Sequence, residues 1–540
     1  MKKILFTALI AIIILTAKAQ ETVNCAPPTS DKILIIQSKI SAILGNGGEI
    51  LYNKSPQALP SYYLLTDNNF LGATIYNSSL WLGGIDESSG DLKLAAMTYR
   101  QAGNDFWSGP IGNSSQTTDS LQCSNYDRHW YMEQATIDKF KNVEELSASE
   151  DSLLREWPGK GNPNLNFSHL NQVMAPFVDV DGDEIYNPEN GDYPKIKGNK
   201  AVWWIVNDIG NEHTESGGAA FGFEIQKMFY GFEDDPELNY TSFFDVNITN
   251  KSNNNYQDFI FGHRVDMDLG NYLDDFVGCD TLSAMGYTYN GDAFDESPEG
   301  FGENAPLQAC QFINVPNEYY DNQNDLYGFT YYKNDFNNTG NPVTAEHFLN
   351  YLNGKWKNGD LMTSGGNATD QSLKSTRYLY PGNPSDSEAW SECSNLNEPS
   401  DRTFIISSGK YKFAVGETKT WTLAMHTIPN VGGTCPNIQP LIDKAQYAKT
   451  FFENFVLVDI NDHFLIESTF VYPNPTNNKL YFNSNNSIKS IEVFGVDGKR
   501  ILQKNINSDY LNVDGLSKGL YYANLFSNDG KAYKAKFIKN

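Results

Sequence analysis

The sequence predicts a mainly β protein: a β-sandwich body, preceded by an α+β segment and followed by a small Ig-like β-sandwich. Many short apolar runs are separated by Gly- or Asn-rich turns, which is typical of antiparallel sandwiches. In the last run, Tyr533, Ala535 and Phe537 alternate with lysines, the period-two pattern of a half-buried strand. Hydrophobic residues make up 40% of the chain and aromatic residues 13%, which is enough for sizeable cores.

Residues 1–19 have the pattern of a secretory signal peptide. Lys2 and Lys3 form the basic start, residues 4–15 are apolar, and Ala17 and Ala19 supply the small residues of a cleavage site. The apolar stretch is shorter than the roughly 20 residues that span a bilayer, and no later stretch approaches that length. We therefore predict export through the inner membrane and no membrane span.

Residues 20–161 are predicted to form an N-terminal α+β segment. Residues 70–82 and 92–100 are strand-like and flank a turn, and Ile137, Phe140 and Val143 then recur at helical spacing. A Gly-, Asn- and Pro-rich stretch at 158–166 provides the boundary with the next segment.

Residues 162–458 are predicted to form the β-sandwich body with a closing helix. Its strand-like runs include residues 243–249 and 256–265, on either side of a turn at 250–255. The helix is predicted from apolar residues that step by four, three, four and three and so share one face. These residues are Leu441, Ala445, Ala448, Phe452 and Phe455. Residues 459–468 then form a linker.

Six cysteines follow the predicted signal peptide, and an even number in an exported chain indicates disulfides. Six cysteines allow 15 pairings. Proximity in the sequence favours Cys279 with Cys310 and Cys393 with Cys435. The alternative is that all six are buried free thiols.

The acidity of the chain lies in its body. The formal net charge is −26, yet residues 469–540 contain ten Lys or Arg against five Asp or Glu. So acidic a body repels nucleic acid and anionic lipid, and it favours divalent cations. We expect no nucleic-acid partner.

An Asp-x-Asp-Gly-Asp loop is the sharpest chemical signal in the sequence. Asp179, Asp181 and Asp183 can converge on one cation because the residues between them let the loop curl, and hard carboxylate oxygens suit Ca²⁺. The loop resembles the calcium loops of dockerin and thrombospondin type 3 modules. It departs from the EF-hand pattern, since glycine stands at position four and Asn190 replaces the bidentate Glu at position twelve. The predicted ligands, all oxygen donors, are Asp179, Asp181, Asp183, Ile185 through its carbonyl, Asn187, Asn190 and Asp192. The alternative is a solvated acidic turn.

A second group of carboxylates follows later in the body. Its members are Asp266, Asp268, Asp274, Asp275, Asp280, Asp292, Asp295 and Glu296. Their spacing matches no single loop, so they close an ion site only if the fold brings them together. Exposed loop carboxylates are the favoured interpretation.

No established catalytic motif appears, and we predict no catalytic residue. The seven histidines form no H-E-x-x-H or H-x-H pair, and neither a G-x-S-x-G elbow nor a phosphate-binding P-loop occurs. The densest polar run is residues 211–215. Glycosidases need only two facing carboxylates, so a secreted polysaccharide hydrolase remains the alternative function. Exposed aromatics such as Trp203 or Trp204 would instead suit a sugar-binding module.

Residues 469–540 carry the strongest resemblance. Asp497-Gly498 and Asn528-Asp529-Gly530 each divide two apolar runs, as in hairpins. The Tyr-Pro-Asn-Pro sequence at 472–475, together with residues 493–500, 516–521 and 536–539, resembles the C-terminal sorting domain of type IX secretion in Bacteroidota. The resemblance implies an address that the outer-membrane translocon reads. The alternative is an ordinary terminal Ig-like module.

Parts of the body resemble large exported Bacteroidota proteins that carry the same tail. These parts are residues 81–84, 106–110, 191–194 and 274–280. The sequence thus predicts a secreted or surface-displayed structural or binding protein, for instance an adhesive one, stabilised by calcium. Its expected partners are the translocon and, for the body, extracellular glycans or other surface proteins.

Overall fold

A computed structural model describes the chain except residues 1–23, 56, 58, 67–68, 101, 114–115, 168–170, 297–299, 317–324, 460–469, 484–487, 496–499, 506–509 and 528–531. The chain forms two compact units, Met1–Ala448 and Lys449–Asn540. The predicted signal peptide and nearly all of the predicted linker lie outside the described residues.

The first unit consists mostly of antiparallel strands. They are β1 (Asp31–Ile36), β2 (Ile40–Gly45), β3 (Glu49–Leu51), β4 (Tyr62–Thr66), β5 (Asn69–Ile75), β6 (Asn77–Asp86), β7 (Leu92–Ala96), β8 (Trp107–Ser108), β9 (Trp130–Glu133), β10 (Phe177–Val178), β11 (Tyr193–Pro194), β12 (Lys200–Asn207), β13 (Phe223–Gly231), β14 (Thr241–Asn250), β15 (Tyr256–Met267), β16 (Asp275–Asp280), β17 (Met285–Asn290), β18 (Leu307–Asn314), β19 (Gly328–Lys333), β20 (Arg402–Phe413) and β21 (Thr418–Ile428).

Most of these strands belong to two large sheets. The first sheet has ten strands in the order β19-β20-β15-β6-β3-β2-β4-β5, with β1 paired to β2 and β7 to β6. The second has nine, in the order β16-β17-β18-β21-β14-β13-β12-β8, with β9 paired to β12. Strands β10 and β11 form a separate two-stranded ribbon. The mainly β fold class predicted from the sequence is confirmed.

The two sheets bury their facing side chains against each other. Phe261 of the first sheet stacks on Trp421 of the second, with ring centroids 4.7 Å apart, and both are fully buried. The Tyr62 hydroxyl, from the first sheet, lies 3.0 Å from the Ser242 hydroxyl of the second. This shared interior is the hydrophobic core of a sandwich.

Residues on both sides of position 161 contribute to both sheets. Strands β1–β7 lie in the first sheet and β8 and β9 in the second, where they pair with β12. The predicted boundary at residue 161 therefore falls within one compact unit.

Five α-helices accompany the described strands: α1 (Ser120–Asn125), α2 (Gln134–Lys141), α3 (Ala148–Arg155), α4 (Ala345–Leu352) and α5 (Gln439–Asp459). Helix α2 contains Ile137 and Phe140 but ends before Val143, which is 91% exposed. The predicted closing helix is α5. Its Leu441 and Ala445 are fully buried against the second sheet, in a cluster with Tyr287 and Ala309.

The second unit contains the C-terminal sandwich. Its strands are β22 (Phe470–Tyr472), β23 (Lys479–Asn483), β24 (Ile488–Gly495), β25 (Arg500–Asn505), β26 (Tyr510–Asn512), β27 (Gly519–Ser527) and β28 (Ala532–Lys539). They form a three-stranded sheet, β22-β23-β26, and a four-stranded sheet, β25-β24-β27-β28. Both predicted hairpin pairings, β24 with β25 and β27 with β28, are present, although their turn residues lie outside the described residues.

The disulfide prediction is half right. Cys393 pairs with Cys435 as expected, but Cys25 pairs with Cys123, 98 residues away, and Cys279 and Cys310 are buried free thiols. Cys279 and Cys310 both face Gly286, from opposite neighbouring strands. Two strand spacings separate them by about 9–10 Å, beyond the roughly 7 Å that a disulfide tolerates.

A buried ion pair fastens the long loop before β20. Arg402 and Glu392 are both fully buried, and the Arg402 guanidinium donates to both carboxylate oxygens of Glu392, at 3.3 and 2.9 Å. Glu392 also accepts from the Val277 amide at 2.9 Å, which joins this loop to β16.

Thiol titration tests the cysteine assignment. Native protein should expose no reactive thiol, because burial shields both free cysteines and raises the pKa of each thiol. Denaturation without reductant should release two of the six cysteines as thiols, and reduction should release all six. A denatured count of zero would instead support a bond between Cys279 and Cys310.

Glu392→Gln tests the buried ion pair. It should lower the free energy of unfolding by about 3–5 kcal/mol, because it leaves the Arg402 charge buried without a countercharge. Glu156→Gln is the matched control: its pair with Arg128 is partly exposed, and we expect a loss of at most about 1 kcal/mol. Tryptophan fluorescence during denaturation reports on this unit, since all nine tryptophans lie between residues 81 and 421. Equal losses of unfolding free energy in the two variants would contradict the conclusion that Glu392 and Arg402 form a buried ion pair.

Candidate functional site

The predicted calcium loop connects β10 to β11, which pair with each other and so bring its two ends together. Gly182 and Glu184 have positive φ angles of +79° and +63°, and these residues curl the loop. Glycine reaches this backbone region without a steric penalty. The curl brings residues from different parts of the loop close together.

Asp179 and Asp192 organise the loop through its backbone amides. Asp179 accepts from the amides of Gly182 at 2.7 Å and Glu184 at 2.8 Å. The hydrogen bond from Glu184, followed by those of other loop amides, lowers the pKa of Asp179 from its usual value. Asp192 is fully buried and accepts from Val180 at 2.8 Å and from Asn187 at 2.9 Å. A buried carboxylate thus ties the two halves of the loop together.

Three of the predicted ligands converge. One carboxylate oxygen from each of Asp179, Asp181 and Asp192 lies within 4.8 Å of the other two. The group does not include Asp183, whose carboxylate accepts from the Ile185 amide at 2.7 Å. This arrangement offers a cation three carboxylate oxygens.

The predicted asparagine ligands are engaged elsewhere in the loop. The side-chain amide of Asn190 donates to Asp181 at 2.8 Å. Asn187 caps the short 3₁₀ helix at Pro188–Asn190, where its side-chain oxygen accepts from the Glu189 amide at 3.2 Å. Ion pairs of Glu184 with Lys160 and of Glu189 with Arg155 then fasten the loop to the segment around α3.

A second carboxylate group forms beside the β16–β17 hairpin. Oxygens of Asp274, Asp292 and Glu296 lie within 4.8 Å of one another. The sequence favoured exposed loop carboxylates here, but Asp274, Asp275 and Asp295 are buried. Burial, followed by neighbouring carboxyl groups, raises the pKa of Asp274 to about 8. Periodicity does not reveal this burial, because it depends on how two separate loops fold over each other.

The polar run at residues 211–215 has a structural role. His213 is buried, and its ring nitrogens contact the backbone oxygens of Leu94 at 2.8 Å and Asp208 at 2.7 Å. Glu215 accepts from the Gly103 amide at 2.8 Å. Trp203 and Trp204 are buried in the second sheet, so neither presents a ring to a sugar.

In the second unit, the first and last segments that resemble sorting domains meet. The Thr476 amide donates to the Ile538 carbonyl at 2.8 Å, and the Ile538 amide donates to the Asn474 side chain at 2.8 Å. The entry segment therefore fastens the terminal strand β28 across the two sheets. Around this junction, Leu480, Val493 and Phe537 belong to one buried core.

Residues 470–540 match the family model described as the secretion system C-terminal sorting domain. This tail is a sorting domain. Its presence supports assignment of the chain as a type IX secretion substrate, and it implies export to a secreted or surface location.

Other comparisons add nothing about the body that precedes the sorting domain. No curated protein matches the chain at a significant level. A solved polysaccharide lyase shares 7% identity over 58% of this chain and 34% of its own, with a TM-score of 0.18. The chain spans about a third of that lyase, and so weak a likeness says nothing about activity.

Among the helices that the structure describes, none combines the length and the apolar character needed to cross a bilayer.

Proposed function

We propose that the chain is a type IX cargo protein that acts outside the cell as a calcium-stabilised structural or binding protein. The sorting domain at residues 470–540 carries this proposal. In this route, residues 1–19 direct export through the inner membrane, and the outer-membrane translocon then reads the sorting domain. These features are those of an exported Bacteroidota protein.

Calcium binding by the loop at residues 179–192 is the second part of the proposal. The convergence of Asp179, Asp181 and Asp192 supports it, because three carboxylates within 4.8 Å repel one another unless a cation lies between them. Their ligand atoms are all oxygens, the ligands that Ca²⁺ prefers. Amide hydrogen bonds already hold the loop in shape, so little ordering is needed when the ion binds.

The proposed partners of the body are extracellular glycans or other surface proteins. Five large aromatic side chains of the described first unit are exposed: Phe70, Tyr272, Phe294, Phe336 and Tyr447. Aromatic rings supply much of the contact energy in protein recognition and also stack on sugars. These rings support a binding role in place of the buried Trp203 and Trp204.

Deletion of residues 469–540 tests the export route. The truncated protein should accumulate in the periplasm, with at least a tenfold lower amount at the surface and in the medium, measured by fractionation and immunoblotting. Its tryptophan fluorescence should match that of the full chain, since all nine tryptophans precede residue 422. Normal amounts outside the cell would show that residues 469–540 are not the address.

Asp181→Asn tests the calcium loop. Calcium at 100 times its Kd stabilises a fold by about 2.7 kcal/mol, which raises Tm by about 3 °C for a unit of this size. In wild-type protein, calcium should also protect the amides of residues 177–194 from hydrogen exchange. The variant should lose this protection and part of the Tm increase, because it removes one converging carboxylate.

Asp183→Asn is the matched control for this experiment. It changes an aspartate of the same loop that lies outside the converging group, so calcium should protect residues 177–194 as in wild type. Magnesium should replace calcium poorly, since Mg²⁺ demands octahedral geometry and sheds water reluctantly. Identical behaviour of the two variants, or no calcium-dependent protection in wild type, would show that the loop is only an acidic turn.

A further inference from the structure

The second carboxylate group lies where two loops meet at one end of the β16–β17 hairpin. Asp275, the first residue of β16, pairs with Asn290, the last residue of β17. Asp274 therefore lies directly opposite the chain that leaves β17, and the Gly291 amide donates to the Asp274 carbonyl at 2.6 Å. Antiparallel pairing thus brings Asp274 close to Asp292 even though 17 residues separate them in the sequence.

One oxygen of this group is buried without a donor. Asp274 is only 6% exposed, and its Oδ1 has no hydrogen-bond partner among the described residues. Its other oxygen, Oδ2, accepts from the Asn271 side chain at 3.1 Å. A buried carboxylate oxygen that lacks a donor costs free energy, and a bound cation is one way to satisfy it.

Neighbouring carboxyl groups make the burial of the Asp274 carboxylate still less favourable. Among the described residues, no Lys or Arg forms an ion pair with Asp274, Asp292 or Glu296. Asp275 and Asp295 lie close by and are also buried, and Oδ1 of Asp275 lacks a partner too. The group therefore places several carboxyl groups close together at a site where no described Lys or Arg pairs with them.

The two loops are already held in the conformation that a cation needs. The Asn271 side chain donates to both Asp274 and Glu296, at 3.1 and 3.0 Å. Asp295 accepts from the Asn271 amide at 2.8 Å and from the Phe301 amide at 2.6 Å. The Asp292 carboxylate accepts from the Phe294 amide at 3.0 Å. These bonds orient the three carboxylates without neutralising them.

We propose that Asp274, Asp292 and Glu296 bind a hard divalent cation of the size of Ca²⁺, in a site separate from the loop at residues 179–192. Each offers a carboxylate oxygen, and these oxygens lie within 4.8 Å of one another. Flexible oxygen coordination of this kind suits calcium better than magnesium. The site requires nothing from the proposed export route, because every ligand lies in the body.

The ion joins the edge of the second sheet to the edge of the first. Strand β16 is the edge of the second sheet and β5 that of the first. The loop that carries Asn271 is anchored to β5, since the Gly270 amide donates to the Ala73 carbonyl at 3.0 Å. A cation between Asp274 and Glu296 therefore fastens a connection between the two sheet edges.

Calcium stoichiometry of the full mature chain, measured by elemental analysis after dialysis, tests this site. Asp292→Asn should bind one calcium fewer than wild type, because Asp292 is a partly exposed ligand whose replacement keeps the loop's shape. Asp274→Asn should lose the same ion. Asp386→Asn is the matched control, an exposed turn aspartate outside both groups, and should bind as wild type does.

Hydrogen exchange locates the ion. Calcium should slow exchange at residues 269–276 and 290–296 in wild type and in Asp181→Asn, but not in Asp292→Asn. This comparison distinguishes the two proposed sites. If only the loop at residues 179–192 failed to bind calcium, calcium would still slow exchange at residues 269–276. If Asp292→Asn binds as much calcium as wild type, or if calcium leaves these segments unprotected in wild type, a proton shared between carboxyl groups accounts for the cluster and the proposal is wrong.

Discussion

The body depends on the face-to-face burial of aromatic side chains between its two large sheets. Phe261 and Trp421 stack at 4.7 Å, and Phe259 packs against the same tryptophan at 5.9 Å. Such contacts remove large apolar surfaces from water, the main favourable term in folding. Because this apolar core keeps the two sheets together, the loops that connect the strands can contain many charged residues. Of the two carboxylate groups, one lies in the loop of the β10–β11 ribbon and the other in the loops beside β16 and β17.

Three buried carboxylates of the acidic body differ in the partners that the protein supplies. Glu392 is matched by the Arg402 guanidinium. Asp192 is satisfied by two backbone amides, those of Val180 and Asn187. Asp274 accepts from the Asn271 side chain and shares a hydrogen bond with Glu296, while its Oδ1 has no partner among the described residues. In the first two arrangements the protein itself satisfies the carboxylate, whereas in the third one buried oxygen is left without a partner among the described residues. This difference separates a structural carboxylate from a proposed ligand.

Local patterns in the sequence predicted individual helices and strands better than they predicted which strands pair with each other. Helix α5 follows from the spacing of its apolar residues, and the hairpins of the sorting domain follow from Asp-Gly turns. In contrast, β14 and β15 flank a short turn like a hairpin, yet they belong to different sheets. Periodicity reports which side of a strand is buried but not which strand lies beside it. The bond between Cys25 and Cys123 was not predicted either, because local spacing does not show that the fold brings together residues 98 positions apart.

The candidate site shows the same limit. The spacing of Asp179, Asp181 and Asp183 predicted that these three carboxylates would converge. In the structure Asp179 and Asp181 converge with Asp192, while Asp183 accepts a hydrogen bond from the Ile185 amide. Asp274 and Glu296 are brought together by the pairing of β16 with β17, and Asp274 is buried as a result. Neither the pairing nor the burial can be predicted from the spacing of residues in the sequence.

Scanning calorimetry of the full mature chain, with tryptophan fluorescence recorded in parallel, tests the central claim most directly. The claim is that cations stabilise the body while the sorting domain is a separate compact unit. We predict two transitions, of which calcium raises only the one that tryptophan fluorescence follows. A calcium shift of both transitions by the same amount, or of neither, would contradict the account.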